Sequence, residues 1–284
     1  MAKIIAIANQ KGGVGKTTTS INLAAGLAVA EKKTLLLDLD PQGNASLGLG
    51  LDKSLFAHKN IYHAIIGEEN IEDAVYKTDL PYLDICPSDN NLTGAEIELV
   101  GAFARESKLK NALEIVSEKY DYIIIDCPPS LTLLTVNALS AAHSYIVPMQ
   151  TEFFAMEGLS QLLNTVRLIR HSLNPRLELE GILLTMFDAR NNLSKQVAFE
   201  IKKHFKDSVL KTVIPRNVKL SESPSFGKPI ILYDVSSKGS EAYFSLAKEV
   251  IINTDPKYLA RESAKEVSVK DLSKTNNNRP EMTL

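Results

Sequence analysis

The chain has 284 residues, of which 44% are hydrophobic, and a formal net charge of −2 at pH 7. This length and apolar content suffice for one large domain with a sizeable core. No apolar run reaches the roughly 18 residues of a membrane-spanning helix, and no secretory signal precedes the first predicted strand, so we expect a soluble, cytoplasmic protein. Two cysteines, Cys86 and Cys127, exclude a disulfide framework and are expected to be buried and reduced.

Short apolar runs alternate with segments of helical periodicity, a pattern typical of a parallel sheet covered by helices on both faces. We therefore predict an α/β fold. The predicted strands are Lys3–Ala8, Thr34–Leu39, Tyr82–Ile85, Tyr122–Ile125, Ser144–Pro148, Leu179–Thr185 and Thr212–Ile214. The predicted helices are Thr17–Glu31, Leu109–Lys119, Leu131–Ala141, Glu157–Ser172, Ser194–Phe205 and Gly239–Asn253. Residues 1–254 are expected to form one domain, and the polar residues 255–284 a disordered tail.

A glycine-rich segment lies between the first predicted strand and the first predicted helix. It consists of Gly12, Gly13, Val14, Gly15, Lys16 and Thr17. Glycines let backbone N–H groups wrap around a polyphosphate, and the N-terminus of the following helix favours anions. Lys16 is expected to reach the β- and γ-phosphates, and the Thr17 hydroxyl to bind Mg²⁺. The segment therefore predicts a P-loop that binds ATP.

Carboxylates follow two other predicted strands. Asp126 comes directly after Tyr122–Ile125, and Asp38 and Asp40 lie at the end of the second strand. Because α/β sheets bind ligands at the carboxyl ends of their strands, Asp126 is expected to hold Mg²⁺, through a water molecule. Asp38 and Asp40 are candidates for the same site, and the alternative for each is to cap a helix or to stabilise a turn.

The run Lys11-Gly12-Gly13-Val14-Gly15-Lys16-Thr17-Thr18 resembles the deviant Walker A motif of the ParA/MinD family. The resemblance implies that Lys11 reaches the phosphates held by a second subunit, which would couple nucleotide binding to dimerisation. It also implies that Asp40 positions the attacking water, whereas Asp38 supports the loop or the outer shell of the metal. We therefore expect hydrolysis of ATP to ADP, with Lys11, Lys16 and Asp40 as the catalytic groups and no protein nucleophile.

Within this family, residues 1–254 most resemble the ParA or Soj type of chromosome or plasmid partitioning ATPase. The matching segments are Asp38–Asn44, Glu152–Gly158 and Ile214–Ile230. The resemblance implies that Pro215 and Asn217 line the adenine pocket. It further implies a homodimer in the ATP-bound state, binding of double-stranded DNA without sequence preference, a ParB-type partner and association with the nucleoid.

Positive charge is concentrated between Lys195 and Lys228, a segment with eight lysines and arginines and three acidic residues. A DNA phosphate backbone needs well-spaced cations rather than side chains that read bases. The predicted DNA contacts are Arg216, Lys219, Lys202, Lys203 and Lys228. For each of them a solvated surface position is the alternative.

Three other functions are less favoured by the sequence. A membrane-bound positioning ATPase of the MinD type needs a C-terminal amphipathic helix, and the last 30 residues have too few apolar side chains for one. An iron–sulfur carrier of the nitrogenase iron-protein type needs cysteines at a dimer face, and Cys86 and Cys127 are not spaced for a shared cluster. A non-catalytic adaptor would not need the complete set Lys16, Thr17, Asp40 and Asp126.

Overall fold

The structure is a computed structural model that describes residues 1–152, 155–255 and 258. Its strands are β1 (Lys3–Ile7), β2 (Thr34–Asp38), β3 (Tyr76–Lys77), β4 (Leu83–Cys86), β5 (Tyr122–Asp126), β6 (Ser144–Gln150), β7 (Glu178–Phe187) and β8 (Val209–Pro215). Its helices are α1 (Lys16–Val29), α2 (Asn44–Gly48), α3 (Lys53–Phe56), α4 (Ile61–Ile66), α5 (Leu92–Glu98), α6 (Lys108–Val116), α7 (Leu133–Ala141), α8 (Ala155–Ser172), α9 (Asn192–Phe205), α10 (Val218–Glu222), α11 (Ile230–Tyr233) and α12 (Lys238–Thr254).

The strands form one sheet in the order β3-β4-β2-β5-β1-β6-β7-β8. Neighbouring strands run parallel except β3 and β4, which pair antiparallel at one edge. The predicted α/β class and the mostly parallel sheet are confirmed. Parallel strands need long crossover connections, and here these connections are the helices that cover the sheet.

Two apolar cores lie on opposite faces of this sheet. Along β1, Ile4 and Ala6 point into the core under α4 to α9, whereas Ile5 and Ile7 point into the core under α1 and α12. Successive side chains of a strand face opposite sides, so a strand buried on both faces is apolar throughout. Within the part of the chain that the structure describes, no helix is both long and apolar enough to cross a bilayer.

The predicted strands and long helices are present, with their ends moved by a few residues. Tyr82 was predicted to begin a strand, and this is wrong: its φ of 67° lies in the left-handed region, and β4 begins one residue later. The two-residue strand β3 and the short helices α2 to α5, α10 and α11 were not predicted. They are too short to carry a recognisable hydrophobic period. The predicted disordered tail lies outside the described residues, apart from positions 255 and 258.

Helix α1 is buried on both sides, between the sheet and α12. Gly26 makes this close approach possible, because a Cβ added at Gly26 would lie 2.9 Å from the Cβ of Ala247 and 3.3 Å from the Tyr243 carbonyl oxygen. The Thr19 and Tyr243 hydroxyls also lie within 3.2 Å of each other across the same contact. The helix that follows the glycine-rich segment is therefore held in place by the far end of the domain.

Replacement of Gly26 by alanine should destabilise the protein. The added methyl group collides with α12, and overpacking of this kind costs about 1–3 kcal/mol, against about 1 kcal/mol gained from helix propensity. Gly158→Ala is the matched control, since no atom lies within 4 Å of an added Cβ in helix α8. Urea unfolding should show a lower free energy of unfolding for Gly26→Ala and an unchanged or higher one for Gly158→Ala. Equal stabilities of the two variants would contradict the close packing of α1 on α12.

Candidate nucleotide-binding and hydrolysis site

Three loops that follow neighbouring strands meet at one edge of the sheet. Strand β5 lies between β1 and β2, and in this register Asp126 is the neighbour of Ile7 on one side and of Asp38 on the other. The glycine-rich segment continues from β1, and Asp40 lies two residues beyond Asp38. The topology therefore brings three predicted groups, Lys16, Asp40 and Asp126, to the same edge.

The glycine-rich segment forms an open cradle at the start of α1. Gly13 and Gly15 have φ angles of 72° and 88°, a conformation that residues with a Cβ rarely adopt. No atom of the described residues lies within 4 Å of a Cβ added at Gly12 or Gly13, which leaves space for a ligand beside the loop in this part of the structure. The loop is anchored from behind, because the Thr185 hydroxyl on β7 donates to the Val14 carbonyl oxygen over 2.8 Å.

Lys16 is buried within this cradle. Its Nζ donates to the Lys11 carbonyl oxygen over 3.1 Å, which leaves the remaining N–H donors of the ammonium group for a ligand. Burial lowers the pKa of Lys16, and the nearby Asp126, Cys127 and Asp40 oppose this shift. A cation held with few partners in a buried, glycine-lined loop suits a polyphosphate.

Asp126 has one satisfied and one unsatisfied carboxylate oxygen. The Ser20 hydroxyl on α1 donates to Oδ1 over 2.7 Å. Oδ2 is buried and accepts no hydrogen bond from the described residues. Burial, with the charge of Asp38, raises the pKa of Asp126 well above its usual range, whereas Ser20 and Thr17 lower it. An unsatisfied carboxylate oxygen beside a threonine hydroxyl fits Mg²⁺, which prefers oxygen ligands.

Asp38 is saturated with hydrogen bonds and supports the loop after β2. Its Oδ2 accepts from the Ser46 N–H over 2.9 Å and from the Ser46 hydroxyl over 2.8 Å, and its Oδ1 accepts from the Asp40 N–H over 3.2 Å. The side chain is completely buried, and burial raises its pKa despite these donors. With these contacts, Asp38 ties the end of β2 to the start of α2.

Asp40 is held by its backbone and keeps part of its carboxylate available. The Ser88 hydroxyl, from the loop after β4, donates to the Asp40 carbonyl oxygen. The Gln42 N–H donates to Oδ1 over 3.0 Å, and Oδ2 accepts no hydrogen bond from the described residues. A carboxylate fixed in this way beside the cradle can accept a hydrogen bond from a water molecule.

Lys11 has a partner within its own chain. Its Nζ lies 2.8 Å from Oε2 of Glu152, and the two side chains are 39% and 49% exposed. Lys11 and Lys16 therefore have different partners: Glu152 for the Lys11 ammonium group and the Lys11 carbonyl oxygen for that of Lys16. Glu152 belongs to the predicted motif Glu152–Gly158, of which residues 153 and 154 lie outside the described residues.

A cavity of about 240 Å³ adjoins the cradle. Pro215 and Asn217 line it, together with Gly15 and Thr18 at the start of α1. The Asn217 side-chain oxygen caps helix α10 by accepting from the Leu220 N–H over 3.3 Å, so its amide nitrogen remains available as a donor. The two residues that the sequence assigned to an adenine pocket therefore lie beside the P-loop.

The five predicted DNA contacts are exposed but fall into two groups. Arg216 follows β8, and Lys219 and Lys228 lie in the segment after it, so this group starts at the same edge of the sheet as the cradle. Lys202 and Lys203 lie in the last turn of α9, which runs from this edge toward the opposite one. Ten residues of helix span about 15 Å, and the five side chains therefore do not form one cluster.

Lys219 differs from the other predicted contacts because it is engaged within the chain. Its Nζ lies 3.0 Å from Oε2 of Glu222 and 5.5 Å from the centre of the Tyr233 ring. The Glu222 carboxylate raises the pKa of Lys219. These contacts reduce the share of its charge that is available to a phosphate.

Sequence reasoning missed two residues of this edge. Ser20 lies one turn after Lys16 on α1, and a helical projection could have indicated that it shares the face of Lys16. Arg190, in the loop after β7, extends into solvent and forms a bidentate contact of 3.0 Å with Asp188. Arg216 lies close enough to lower the pKa of Asp188 further, so Arg190 and Arg216 are neighbours.

Cys86 and Cys127 are both fully buried, as expected from the sequence. Burial raises the pKa of each thiol far above its usual range. Neither thiol can reach a second subunit, which removes the basis for an iron–sulfur cluster shared at a dimer face.

Comparison with known proteins identifies a matching family model and similar proteins. A family model described as an AAA domain matches residues 2–179. The sporulation initiation inhibitor protein Soj of Bacillus subtilis (strain 168) is 58% identical over 253 residues, which are 89% of this chain and 100% of that protein. The chromosome partitioning protein ParA of Myxococcus xanthus (strain DK1622) is 53% identical over 264 residues, or 93% of each chain.

The fold is also found among solved structures. The crystal structure of cobyrinic acid a,c-diamide synthase from Mycobacterium smegmatis with bound ADP and magnesium superposes with a TM-score of 0.78 at 36% identity, over 89% of this chain and 95% of that one. The similarity to Soj and ParA is much higher in sequence and covers as much of the chain. The resemblance inferred from residues 11–18 is confirmed, and the chain belongs to the ParA/MinD family of P-loop ATPases, in its Soj/ParA branch.

Proposed function

We propose that this chain is a Mg²⁺-dependent partition ATPase that dimerises around bound ATP, binds DNA without sequence preference as a dimer, and segregates a chromosome or plasmid together with a ParB-type protein. The ATPase activity accords with membership of the Soj/ParA branch and with a related structure that contains ADP and magnesium. The observation that carries the proposal is the convergence of Lys16, Asp40 and Asp126 beside an open glycine cradle.

In this proposal each group has one task in the attack of water on the γ-phosphate. Backbone N–H groups of the cradle and the Lys16 ammonium group bind the phosphates, and Pro215 and Asn217 hold the adenine. Thr17 and Asp126 would hold Mg²⁺, which neutralises phosphate charge when bound. Asp40 orients the attacking water. A bond forms from the water oxygen to the γ-phosphorus, the bond from that phosphorus to the bridging oxygen breaks, and ADP and phosphate leave.

Lys11 connects this chemistry to dimerisation. Within one subunit its ammonium group is paired with Glu152. To reach the phosphates of a second subunit it must exchange Glu152 for a phosphate, a partner of higher negative charge. The ion pair is partly exposed, so its loss costs little, because exposed ion pairs contribute about 0–1 kcal/mol. Association driven by the nucleotide is therefore feasible.

The DNA-binding surface is proposed at Arg216, with Arg190 added to the residues inferred from the sequence. Both side chains are exposed at the cradle edge of the sheet, which is also the edge at which the proposed dimer forms. Lys202, Lys203 and Lys228 extend the surface. Lys219 is paired with Glu222 and Arg190 with Asp188, so each shares its charge with a carboxylate before it contacts a phosphate. A ParB-type partner and association with the nucleoid are proposed on family membership.

We assign these activities to residues 1–254 as one ATPase domain and none of them to residues 255–284. Cytoplasmic localisation follows from the proposed binding to DNA. A MinD-like function at a membrane surface would instead require ATP-dependent binding to vesicles, which the DNA-binding experiment below can include as a comparison.

The stability of the metal-free protein should fall as pH rises above the ordinary carboxyl range. Asp126 and Asp38 have raised pKa values, so between a pH of about 4 and those values the folded state keeps protons that the unfolded chain has released. In Asp126→Asn the free energy of unfolding should decrease less with rising pH. At the upper end of this pH window the metal-free variant should be at least about 1 kcal/mol more stable than the unaltered protein. The variant should also bind Mg²⁺·ATP more weakly. Urea unfolding in EDTA at several pH values measures the first effect, and Asp79→Asn, an exposed carboxylate, is the control. An unchanged pH profile in Asp126→Asn would contradict the raised pKa.

Asp40→Ala should bind ATP but hydrolyse it at least about 10²-fold more slowly, because the attacking water loses its orienting carboxylate. The dimer should then accumulate with ATP and not with ADP. Steady-state phosphate release and light scattering after size exclusion measure the two effects. Asp79→Ala should behave as the unaltered protein in both. Normal turnover by Asp40→Ala would assign the water to another residue.

Replacement of Arg190 and Arg216 by glutamate should strongly weaken ATP-dependent binding to DNA while ATP-dependent dimerisation persists. A titration with a duplex of arbitrary sequence at several salt concentrations also gives the number of phosphate contacts, and the slope should fall by about two for the two lost cations. Lys110→Glu on α6, which makes one such charge reversal away from this surface, is the control. DNA binding retained by the double variant, but lost in Lys202→Glu with Lys203→Glu, would move the surface to α9.

A further inference from the structure

Three large apolar side chains project into solvent from one short segment. Ile97, Val100 and Phe103 are 76%, 63% and 94% exposed. Ile97 lies at the end of α5, Val100 in the 3₁₀ turn Leu99–Gly101, and Phe103 two residues after that turn, so the three side chains lie within seven residues of chain. We call Ile97, Val100 and Phe103 the apolar stripe. Contiguous exposed apolar side chains on a protein surface indicate an interaction site.

The segment that carries the apolar stripe is fixed in position by contacts with the rest of the domain. Leu99, in the middle of the segment, is buried in the core below it. The Arg105 guanidinium group donates to the Val100 carbonyl oxygen over 3.0 Å, and the Asn137 side chain on α7 donates to the Arg105 carbonyl oxygen over 2.9 Å. The segment is thus fixed to α7 at one end, and its exposed side chains form a preorganised surface.

Both ends of the segment are connected to the candidate active site. Ser88, shortly before α5, donates to the Asp40 carbonyl oxygen. Helix α7, which holds Arg105, begins after the loop that follows Asp126, and the Thr135 hydroxyl of α7 donates to the Ser130 carbonyl oxygen of that loop over 2.6 Å. The apolar stripe is therefore linked to the two loops that carry the proposed metal and water ligands.

We propose that a second copy of this chain covers the apolar stripe in the nucleotide-bound dimer. This inference rests on the proposed function, in which Lys11 reaches the phosphates of a partner subunit at the same edge of the sheet. The charge of Arg105 is paired with Glu106 over 2.9 Å, and the three side chains of the stripe are apolar, so their complement is another apolar surface. A twofold dimer supplies such a surface, because the same stripe is present on both subunits.

The arrangement gives the dimer an attraction that does not depend on the phosphates. Apolar burial at the stripe would favour association, while Lys11 and the nucleotide decide when the two faces align. The stripe would also transmit the contact, since a shift of the segment moves Ser88 against Asp40 and α7 against the loop after Asp126.

Val100→Ser with Phe103→Ser tests the proposal. Both side chains are exposed, so the variant should keep the thermal stability and the ATP affinity of the unaltered protein. With Mg²⁺·AMPPNP its dimer dissociation constant, measured by analytical ultracentrifugation, should rise at least about tenfold, as for loss of an interface aromatic residue. Val235→Ser is the matched control, because Val235 is 66% exposed in the turn before α12.

A cross-linking experiment tests which surface covers the stripe. Both natural thiols are buried, so in Phe103→Cys the introduced thiol is the one that a short bismaleimide reaches, by adding across each maleimide double bond. Cross-linked dimers with Mg²⁺·AMPPNP, and not with Mg²⁺·ADP, would support the proposal. Failure of the unaltered protein to dimerise with AMPPNP would overturn the proposed function and this inference together. Normal dimerisation of the serine variant, without cross-linking of Phe103→Cys, would overturn this inference alone.

Discussion

The register of β5 between β1 and β2 is the constraint on which the site depends. It places Asp126 one strand away from the P-loop and one strand away from Asp38, so the proposed metal ligand lies between the P-loop and the loop that carries Asp40. The long crossovers of a parallel sheet are what make such an arrangement of distant residues possible.

Burial then gives the converging groups their chemical character. Asp126 keeps an unsatisfied oxygen that is shielded from water, and Lys16 is a cation with few partners. In the absence of ligand, burial destabilises the charged form of Lys16 and the charged form of Asp126. Binding of a metal and a polyphosphate supplies the missing opposite charges. The same desolvation makes the site selective for ligands that carry both signs of charge.

The sequence predicted those parts of the site in which residue type and local context suffice. Lys16 and Thr17 follow a strand and open a helix, and Asp126 ends an apolar run, so their roles follow from local pattern. Arg190 and Arg216 are 26 positions apart in sequence and meet because β7 and β8 pair, which no local pattern reveals. Lys202 and Lys203 lie in the last turn of α9, apart from Arg216, and their role in DNA binding stays a prediction.

The apolar stripe was missed because apolar residues at three-residue spacing normally mark a core, and solvent exposure at Val100 and Phe103 depends on the turn around buried Leu99. The sequence places Glu152 in a family motif but does not predict its pairing with Lys11, because this pairing requires a contact between the loops after β1 and β6.

The dependence of α1 on the end of the domain has a consequence for synthesis on the ribosome. Tyr243 and Ile230 contact Thr19 and Asn22 through hydrogen bonds that join residues more than 200 positions apart. An emerging chain can make the P-loop sequence early but cannot support its helix until nearly the whole domain has left the exit tunnel. Contacts of such long range also slow folding, because the loop that they close is large. A nascent chain of this protein therefore completes its P-loop helix late, after the segment around Arg216 has already been made.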